Sequence, residues 1–252
     1  MIEAPYPSDW RVLQAGVCRL LTEVGLIAEI EKKLITPRGE VEVDVYAVDK
    51  NSVDQIRYLV ECKNWNSAIP QSVVHSFTTI MHETGGNIGF IVSRKGFQAG
   101  AKQYLQNTNI VGVTYSELQQ RYLARWWEKY FVPKIGSAVD TLIEYVEPIN
   151  SKRERLIQEL PEHKRKEVHR LQEKYTLFGM TMAFFEFPIY STRFNIPAPG
   201  SIDEFKLEIA ERLGTEFAFS SEYFRDLANE ITAKLQTVTN EFHDVFGKNI
   251  FA

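Results

Sequence analysis

The sequence predicts an α/β domain, a mixed sheet flanked by helices, followed by a mainly α-helical C-terminal domain. In the first half of the 252 residues, short β-rich runs alternate with helical patterns, as in layered α/β domains. Beyond about residue 136, strand patterns nearly vanish and charged or amphipathic runs with helical spacing follow. We therefore place the boundary at residues 133–136, around Pro133 and Gly136, and predict domains at 1–135 and 136–252.

The N-terminal half combines one leading helix with five strands and the helices between them. The first helix is predicted at residues 10–25, with Ser8 and Asp9 placed to cap its start. Strands are predicted at residues 26–35, 40–48, 56–63, 88–93 and 110–114. Further helices are predicted to begin at Pro70 and Gln71, to run through Ala99, Ala101 and Leu105, and to begin at a capping box of Ser116 and Gln119.

The C-terminal half reads as helices separated by breaks. A charged helical run at residues 151–175 is interrupted at Pro161, and a loop is predicted at 190–200. Ser201 and Glu204 form a second capping box. Apolar residues then recur at steps of three and four, which predicts a long amphipathic helix: Phe224, Leu227, Ile231, Leu235, Val238, Phe242 and Val245.

Composition is that of an ordinary soluble globular protein, with 44% hydrophobic and 25% charged residues. The apolar runs fall short of the ~20 residues that a membrane span needs, and the start does not resemble a signal peptide. Cys18 and Cys62 are the two cysteines, too few for a disulfide framework. We expect a cytoplasmic protein that has no association with a membrane.

The net charge of −4 makes the distribution of charge the informative quantity. Residues 1–135 carry 15 Lys and Arg against 14 Asp and Glu, while residues 151–175 carry eight basic against five acidic residues. Since phosphate neutralisation supplies most non-specific affinity for DNA, we expect that affinity to be modest. Lys164, Arg165 and Lys166 are candidate nucleic-acid contacts, and a solvated helix face is the alternative interpretation.

The candidate chemistry lies at the end of the third predicted strand, which closes with Glu61, Cys62 and Lys63. Side chains alternate along a strand, so Glu61 and Lys63 share one face. Asp44 stands among valines on the preceding strand, where burial would be costly without a metal or a partner. Two carboxylates and a lysine are the minimal equipment for metal-assisted phosphodiester hydrolysis. The alternative is a structural Glu61–Lys63 ion pair.

This pattern, with its order of elements, resembles the PD-(D/E)xK nuclease superfamily and, within it, the Mrr-like restriction endonucleases. The resemblance implies a restriction-endonuclease-like fold in the first half and DNA as substrate. It implies Mg²⁺, with Mn²⁺ as a substitute, bound by Asp44, Glu61 and the Cys62 carbonyl; Mg²⁺ prefers such oxygen ligands. Lys63 would contact the scissile phosphate and orient the attacking water, with its charged form favoured by the carboxylates.

The resemblance also draws attention to three neighbouring residues. Relatives often carry a glutamine near Gln71 that supports the site, although an exposed residue at the start of a helix is an equal alternative. Many carry a glutamate where this chain has Gln14, so a second metal is in doubt. Glu42 lies on the strand of Asp44 and is placed to compensate; a solvated glutamate is its alternative interpretation.

The sequence therefore predicts a Mg²⁺-dependent DNA endonuclease. The resemblance to the Mrr-like family implies a role in restriction or anti-phage defence. The alternatives are a non-catalytic nucleic-acid-binding or assembly protein on a nuclease scaffold, and a junction-resolving or repair nuclease. We expect the helical domain to serve recognition, assembly or regulation, with a protein as one possible partner. Cutting both strands favours a homo-oligomer such as a dimer. The apolar stripe from Phe224 to Val245 is suited to pairing or to docking within its own domain.

Overall fold

The computed structural model describes residues 1–184 and 200–252, which form two compact units, Met1–Lys129 and Tyr130–Ala252. Most of the loop predicted at residues 190–200 lies outside the described residues. None of the helices in the described ranges is both long enough and apolar enough to cross a membrane.

The first unit contains five strands and four α-helices. Its elements in chain order are α1 (Trp10–Glu23), β1 (Ile27–Thr36), β2 (Gly39–Val48), β3 (Arg57–Lys63), α2 (Gln71–Thr84), β4 (Ile88–Ser93), α3 (Ala99–Leu105), β5 (Ile110–Thr114) and α4 (Tyr115–Trp126). All five strands predicted from the sequence are thus confirmed to within a residue or two at each end.

A mixed sheet organises this unit, with its strands in the order β1-β2-β3-β4-β5. The pairs β1–β2 and β2–β3 are antiparallel, whereas β3–β4 and β4–β5 are parallel. Helices α2 and α3 form the crossovers that parallel neighbours require. Apolar side chains such as Leu59, Phe77 and Ile91 are buried between sheet and helices, which fixes the position of the β3 end.

The helix starts in this unit follow from side-chain caps. Asp9 caps α1 as predicted, because its carboxylate accepts hydrogen bonds from the backbone N–H groups of Arg11 (2.8 Å) and Val12 (3.0 Å). The capping box predicted at Ser116 and Gln119 is wrong. The box is formed by Thr114 and Glu117 instead, because β5 ends at Thr114 and the helix begins without a connecting loop.

The second unit is helical throughout the residues that the structure describes. A π-helical turn (Trp127–Phe131) spans the junction between the two units. The helices that follow are α5 (Val132–Val146), α6 (Ser151–Glu159), α7 (Glu162–Ala183), α8 (Ile202–Leu213) and α9 (Phe224–Phe246), with a 3₁₀ turn at Thr215–Phe217. The residues 133–136 lie within the first turns of α5, where Pro133 is tolerated because the first helical positions need no N–H donor.

For this unit, the break at Pro161 and the cap at Ser201 are confirmed, and of the capping box predicted at Ser201 and Glu204 the structure shows the bond from the Glu204 N–H to Ser201. The charged run breaks at Pro161, which directly precedes α7. The Ser201 hydroxyl accepts a hydrogen bond from the backbone N–H of Glu204 at 3.1 Å, so Ser201 caps α8.

The apolar stripe of α9 is buried inside its own unit. Its residues Leu227, Ile231, Leu235 and Val238 have no exposed surface, and α9 packs against α5 and α7. Internal docking is therefore the alternative that the structure supports. The stripe does not provide a free surface for pairing with a second copy, because its burial already stabilises the unit.

We expect Ile231→Asp to lower the free energy of unfolding of the second unit by about 3–5 kcal/mol, because a buried carboxylate without a partner is strongly destabilising. Ala233→Asp is the matched control, since Ala233 lies two residues away on the exposed side of α9. Urea denaturation of both variants measures the effect. Equal stability of the two variants would contradict the internal packing of α9.

Candidate active site

The carboxylate of Asp44 lies at the C-terminal end of β3. The antiparallel register pairs Val45 with Val60, which brings Asp44 beside the last residues of β3. Its Oδ2 accepts a hydrogen bond from the backbone N–H of Cys62 at 2.6 Å. This bond fixes the distance of the Asp44 carboxylate from the backbone between Glu61 and Lys63.

Gln14 holds the other oxygen of the same carboxylate. It lies on α1, is only 4% exposed, and donates a hydrogen bond from Nε2 to Asp44 Oδ1 at 2.7 Å. Each carboxylate oxygen accepts more than one bond, so both oxygens of Asp44 keep capacity for a further ligand. A neutral donor at this position steadies Asp44 without adding a negative charge.

Glu61 and Lys63 form an ion pair on one face of β3, as the alternation of a strand predicts. Their side chains are 19% and 21% exposed, respectively, so the pair is largely withdrawn from water. A partly buried pair is less screened than a surface pair. The lysine is therefore held beside the two carboxylates.

Electrostatic strain is concentrated on Glu61. Burial raises the pKa of this carboxyl, and the negative charge of Asp44 raises it further, while Lys63 acts in the opposite direction. The net pKa is raised above the usual range. The two carboxyls therefore repel each other in a site that a cation would stabilise.

Cys62 contributes its backbone rather than its thiol. The side chain is 6% exposed and reduced, and burial raises the pKa of the thiol well above its usual value, with Asp44 and Glu61 adding to the effect. A neutral buried thiol is a poor metal ligand and nucleophile. The predicted contribution of Cys62 through its carbonyl oxygen is compatible with this packing.

Several of these groups line a cleft of about 700 Å³, which we call the Asp44 cleft. Among the residues predicted from the sequence, its walls include Gln14, Glu42, Asp44, Cys62 and Lys63. Glu42 is exposed and faces this cleft. Glu61 is not among the residues that line the cleft, and it is linked to them by its ion pair with Lys63.

Glu31 is a residue of the cleft that the sequence did not reveal. The β1–β2 register pairs Ile30 with Val45 and Lys32 with Val43, which places Glu31 opposite Asp44. Its backbone has a φ of 51°, in the left-handed region, and this conformation costs a non-glycine residue about 1–2 kcal/mol. Glycine or asparagine in a sequence indicates a left-handed backbone, whereas a glutamate does not. Trp10, Asn64, Trp65 and Arg94 also line the cleft and were not predicted as site residues.

Gln71 is the first residue of α2, as predicted, and its side chain bonds away from Asp44 and Glu61. Its amide is 3.1 Å from His75 Nε2, and it lines a separate cavity of about 540 Å³. Within the part of the chain that the structure describes, it has no bond to Asp44 or Glu61. Just before α2, the backbone N–H of Ile69 donates to the carbonyl oxygen of Gly96 at 2.9 Å.

The basic cluster of α7 is engaged within the second unit. Lys164 donates from Nζ to the carbonyl oxygen of Val245 at 2.7 Å, at the negatively polarised C-terminal end of α9. Lys166 pairs with Glu162 at 2.7 Å on the exposed face. Arg165 is exposed, and its side chain has no polar partner among residues 1–184 and 200–252. Lys164 is thus engaged in a contact within the unit, whereas Arg165 and Lys166 are exposed.

The donor set at the β3 end fits a small, hard divalent cation. The carboxylates of Asp44 and Glu61 and the carbonyl of Cys62 supply oxygen atoms, and Mg²⁺ binds through one or two carboxylates while keeping several waters. In the described ranges, no group of three His, Cys, Asp or Glu side chains is arranged to hold a metal. A backbone oxygen, water and the cleft carboxylates of Glu31 and Glu42 are the further oxygen donors near Asp44.

The sequence of the first unit matches a known protein family. Residues 7–122 match the model of the Mrr_cat family, described as "Restriction endonuclease". This match confirms the resemblance that Asp44, Glu61 and Lys63 predicted, and the mixed sheet agrees with it. No curated protein matches the chain.

Two solved structures are similar to parts or most of the chain. The first is a protein of unknown function, AF1548, with 15% identity over 92% of this chain and 99% of that one, at a TM-score of 0.40. The second is the DNA modification-dependent restriction endonuclease AspBHI, with 15% identity and a TM-score of 0.34. The latter similarity covers 45% of this chain and 31% of the length of AspBHI.

Replacing Gln14 by glutamate tests the electrostatics of the site. We expect Gln14→Glu to lower the stability of the metal-free protein by about 1–3 kcal/mol, because a buried donor to Asp44 is lost and a third carboxylate is added. Thermal unfolding with and without Mg²⁺ measures the change. Mg²⁺ should stabilise the variant more than the wild type, since cation binding relieves the added repulsion.

Gln14→Leu is the control for this comparison, because it removes the same donor without adding charge. It should be destabilised without a larger response to Mg²⁺ than the wild type. Equal Mg²⁺ responses in Gln14→Glu and Gln14→Leu would show that the cation does not bind beside Asp44.

Proposed function

We propose that the chain is a Mg²⁺-dependent DNA endonuclease, because residues 7–122 form a restriction endonuclease domain of the Mrr_cat family with its acidic and basic groups assembled. The observation that carries the proposal is the placement of Asp44, Glu61 and Lys63 together at the end of β3. Burying two carboxylates this close is costly for folding alone. A bound cation would offset the repulsion between the two carboxylates, and a phosphate would pair with Lys63.

Asp44, Glu61 and the Cys62 carbonyl would hold the metal. When bound, Mg²⁺ supplies positive charge to the phosphate and a more acidic water; Mn²⁺ has the same ligand preference and should substitute. The protein's own contribution is to orient the ligands. Gln14 and the Cys62 N–H fix the two oxygens of Asp44, so little reorganisation is needed when a substrate enters.

Lys63 is the group that we assign to the phosphate. Its ammonium is held on the face of Glu61 and borders the Asp44 cleft. A lysine ammonium presents three N–H donors and no acceptor, so we assign Lys63 the role of a hydrogen-bond donor rather than a base. A fixed cation beside a phosphoryl oxygen stabilises the charge that develops in the transition state.

The domain division and the wider role are part of the same proposal. Residues 1–135 would carry the nuclease activity, and residues 136–252 would serve recognition, assembly or regulation, with action in restriction or anti-phage defence. A junction-resolving or repair nuclease on this fold differs only in its substrate. A homo-oligomer would supply the two active sites that a double-strand break requires, through a surface other than the buried α9 stripe.

We expect Glu61→Gln and Lys63→Met to reduce cleavage of supercoiled plasmid at least about 100-fold, since each removes one charge from the reacting region. Both substitutions preserve side-chain size, so circular dichroism should show an unchanged fold. Asp44 is a less clean choice, because its loss leaves the Cys62 N–H and Gln14 without their acceptor. Full activity in both variants would contradict the site assignment.

Glu42→Gln and Glu40→Gln form a matched pair on β2. Glu42 lines the Asp44 cleft, whereas Glu40 pairs with Lys33 at 3.0 Å outside it. If Glu42 compensates for the missing glutamate at position 14, only its variant should lose activity, by about tenfold, which corresponds to about 1.4 kcal/mol of the barrier. Plasmid cleavage rates measure it. Equal rates in the two variants would assign Glu42 to the solvated surface.

Removing the metal should stop cleavage altogether. We expect no cutting in excess EDTA and full recovery when Mg²⁺ or Mn²⁺ is added, because the carboxylates alone do not activate water. Calorimetric titration with Mg²⁺ gives a second readout that is independent of turnover. The wild type should bind the cation and Glu61→Gln should bind it more weakly. Metal-independent cleavage would overturn the proposed chemistry.

A further inference from the structure

Two tryptophans border the Asp44 cleft and remain accessible. Trp10 is 44% exposed and Trp65 is 43% exposed, whereas the other two, Trp126 and Trp127, are almost fully buried. Both accessible rings line the same cleft as Asp44 and Lys63. Leaving so much aromatic surface in water is unfavourable, so two such rings at one candidate active site suggest a flat, aromatic ligand.

Short connections fix where these rings lie. Trp10 is the first residue of α1, directly after the capping residue Asp9, and Trp65 follows β3 two residues after Lys63. The Lys63 ammonium is 5.6 Å from the centre of the Trp65 ring. The Arg11 guanidinium is 4.5 Å from the centre of the Trp10 ring. The rings are thus held close to the chemistry and beside cations that suit a phosphate.

The charge of the cleft argues against affinity from phosphates alone. Its lining includes four carboxylates, those of Asp9, Glu31, Glu42 and Asp44, against the two cations of Lys63 and Arg94. Affinity for duplex DNA depends mainly on the neutralisation of many phosphates. Stacking of bases on aromatic side chains is the other main source of affinity, and it operates on unpaired bases.

Arg94 and Asn64 supply polar groups beside the rings. The backbone N–H of Arg94 donates to the carbonyl of Lys63 at 3.1 Å; its side chain lines the cleft and has no polar partner in the described part of the chain. The Oδ1 atom of Asn64 is buried there, again without a partner among the described residues. A phosphate would satisfy Arg94, and a sugar or base donor would satisfy Asn64.

We propose that the Asp44 cleft binds an unpaired nucleotide next to the scissile phosphate, with its base stacked on Trp65 or Trp10 and its phosphate bound by Arg94. This inference rests on the proposed function and names its substrate class. The preferred DNA has unpaired bases at the cut, as in single strands, flaps and branches. In a continuous duplex both faces of each base are covered by neighbours, so stacking on tryptophan requires that the base first leave the helix.

Binding in EDTA tests the inference without any cleavage. Fluorescently labelled single-stranded DNA of about 12 nucleotides, within the usual site size, is titrated into the full-length protein, and a blunt duplex of equal length serves as the comparison. We expect the single strand to bind more tightly and to quench tryptophan fluorescence. Trp65→Leu should weaken single-strand binding about tenfold, and Trp65→Phe, which keeps a ring, by much less.

Arg94→Ala and Lys95→Ala form a matched pair of adjacent cations. Arg94 lines the cleft, whereas Lys95 is exposed outside it. We expect only Arg94→Ala to weaken binding of the single strand. The slope of log affinity against log salt concentration should become shallower by the amount that corresponds to about one lost phosphate contact. Equal losses in the two variants would overturn the assignment of the phosphate to Arg94.

Two results would overturn the inference as a whole. One is equal affinity for single-stranded and duplex DNA with unchanged fluorescence. The other is a loss of affinity in Trp65→Leu that is the same for both substrates, which would mean that Trp65 only supports Lys63.

The proposed function fails differently: if binding and quenching are as expected but Mg²⁺ never produces cleavage, the cleft binds unpaired DNA without cutting it. If duplex is cut and the tryptophan variants behave as wild type, only the stacking inference is lost.

Discussion

The site depends on the carboxylate of Asp44 and the two donors that hold it. Its oxygens accept from Gln14 at 2.7 Å and from the backbone N–H of Cys62 at 2.6 Å, so one side chain joins α1, β2 and the end of β3. A carboxylate removed from water is tolerated only when its oxygens are bonded. The same bonds that make the burial of Asp44 possible also orient it towards Glu61 and Lys63.

That arrangement leaves an electrostatic imbalance that the fold alone does not remove. Asp44 and burial together raise the pKa of Glu61, and the ion pair with Lys63 offsets only part of the effect. Glu31 adds a carboxylate to the cleft with a strained backbone. Strain and repulsion of this kind persist where function requires them. The lining of the cleft thus carries more negative than positive charge, which is why its two accessible tryptophans matter for the proposed substrate.

The two units use their aromatic and apolar residues in contrasting ways. In the second unit, most of the α9 stripe is buried, largely against α5 and α7, and Lys164 is bound to the end of α9. The apolar stripe and Lys164, which the sequence left open for a second copy or for nucleic acid, are therefore used in packing within the unit. In the first unit, Trp10 and Trp65 stay accessible beside charged groups. Periodicity reports that a helix has an apolar face, but which surface covers that face is decided only when the chain folds.

By itself the sequence determined the five strands, the cap at Asp9 and the placement of Glu61 and Lys63 on one strand face, because period-two alternation and acid-x-base spacing are local properties of the chain. The approach of Asp44 to them depends on the β2–β3 register. Tertiary structure decided the rest. The left-handed conformation of Glu31, opposite Asp44 in the β1–β2 register, depends on a partner distant in sequence. So does the hydrogen bond from Gln14 to Asp44, which links residues 30 positions apart. Such pairings leave no local pattern, since they form only when helix and sheet pack together.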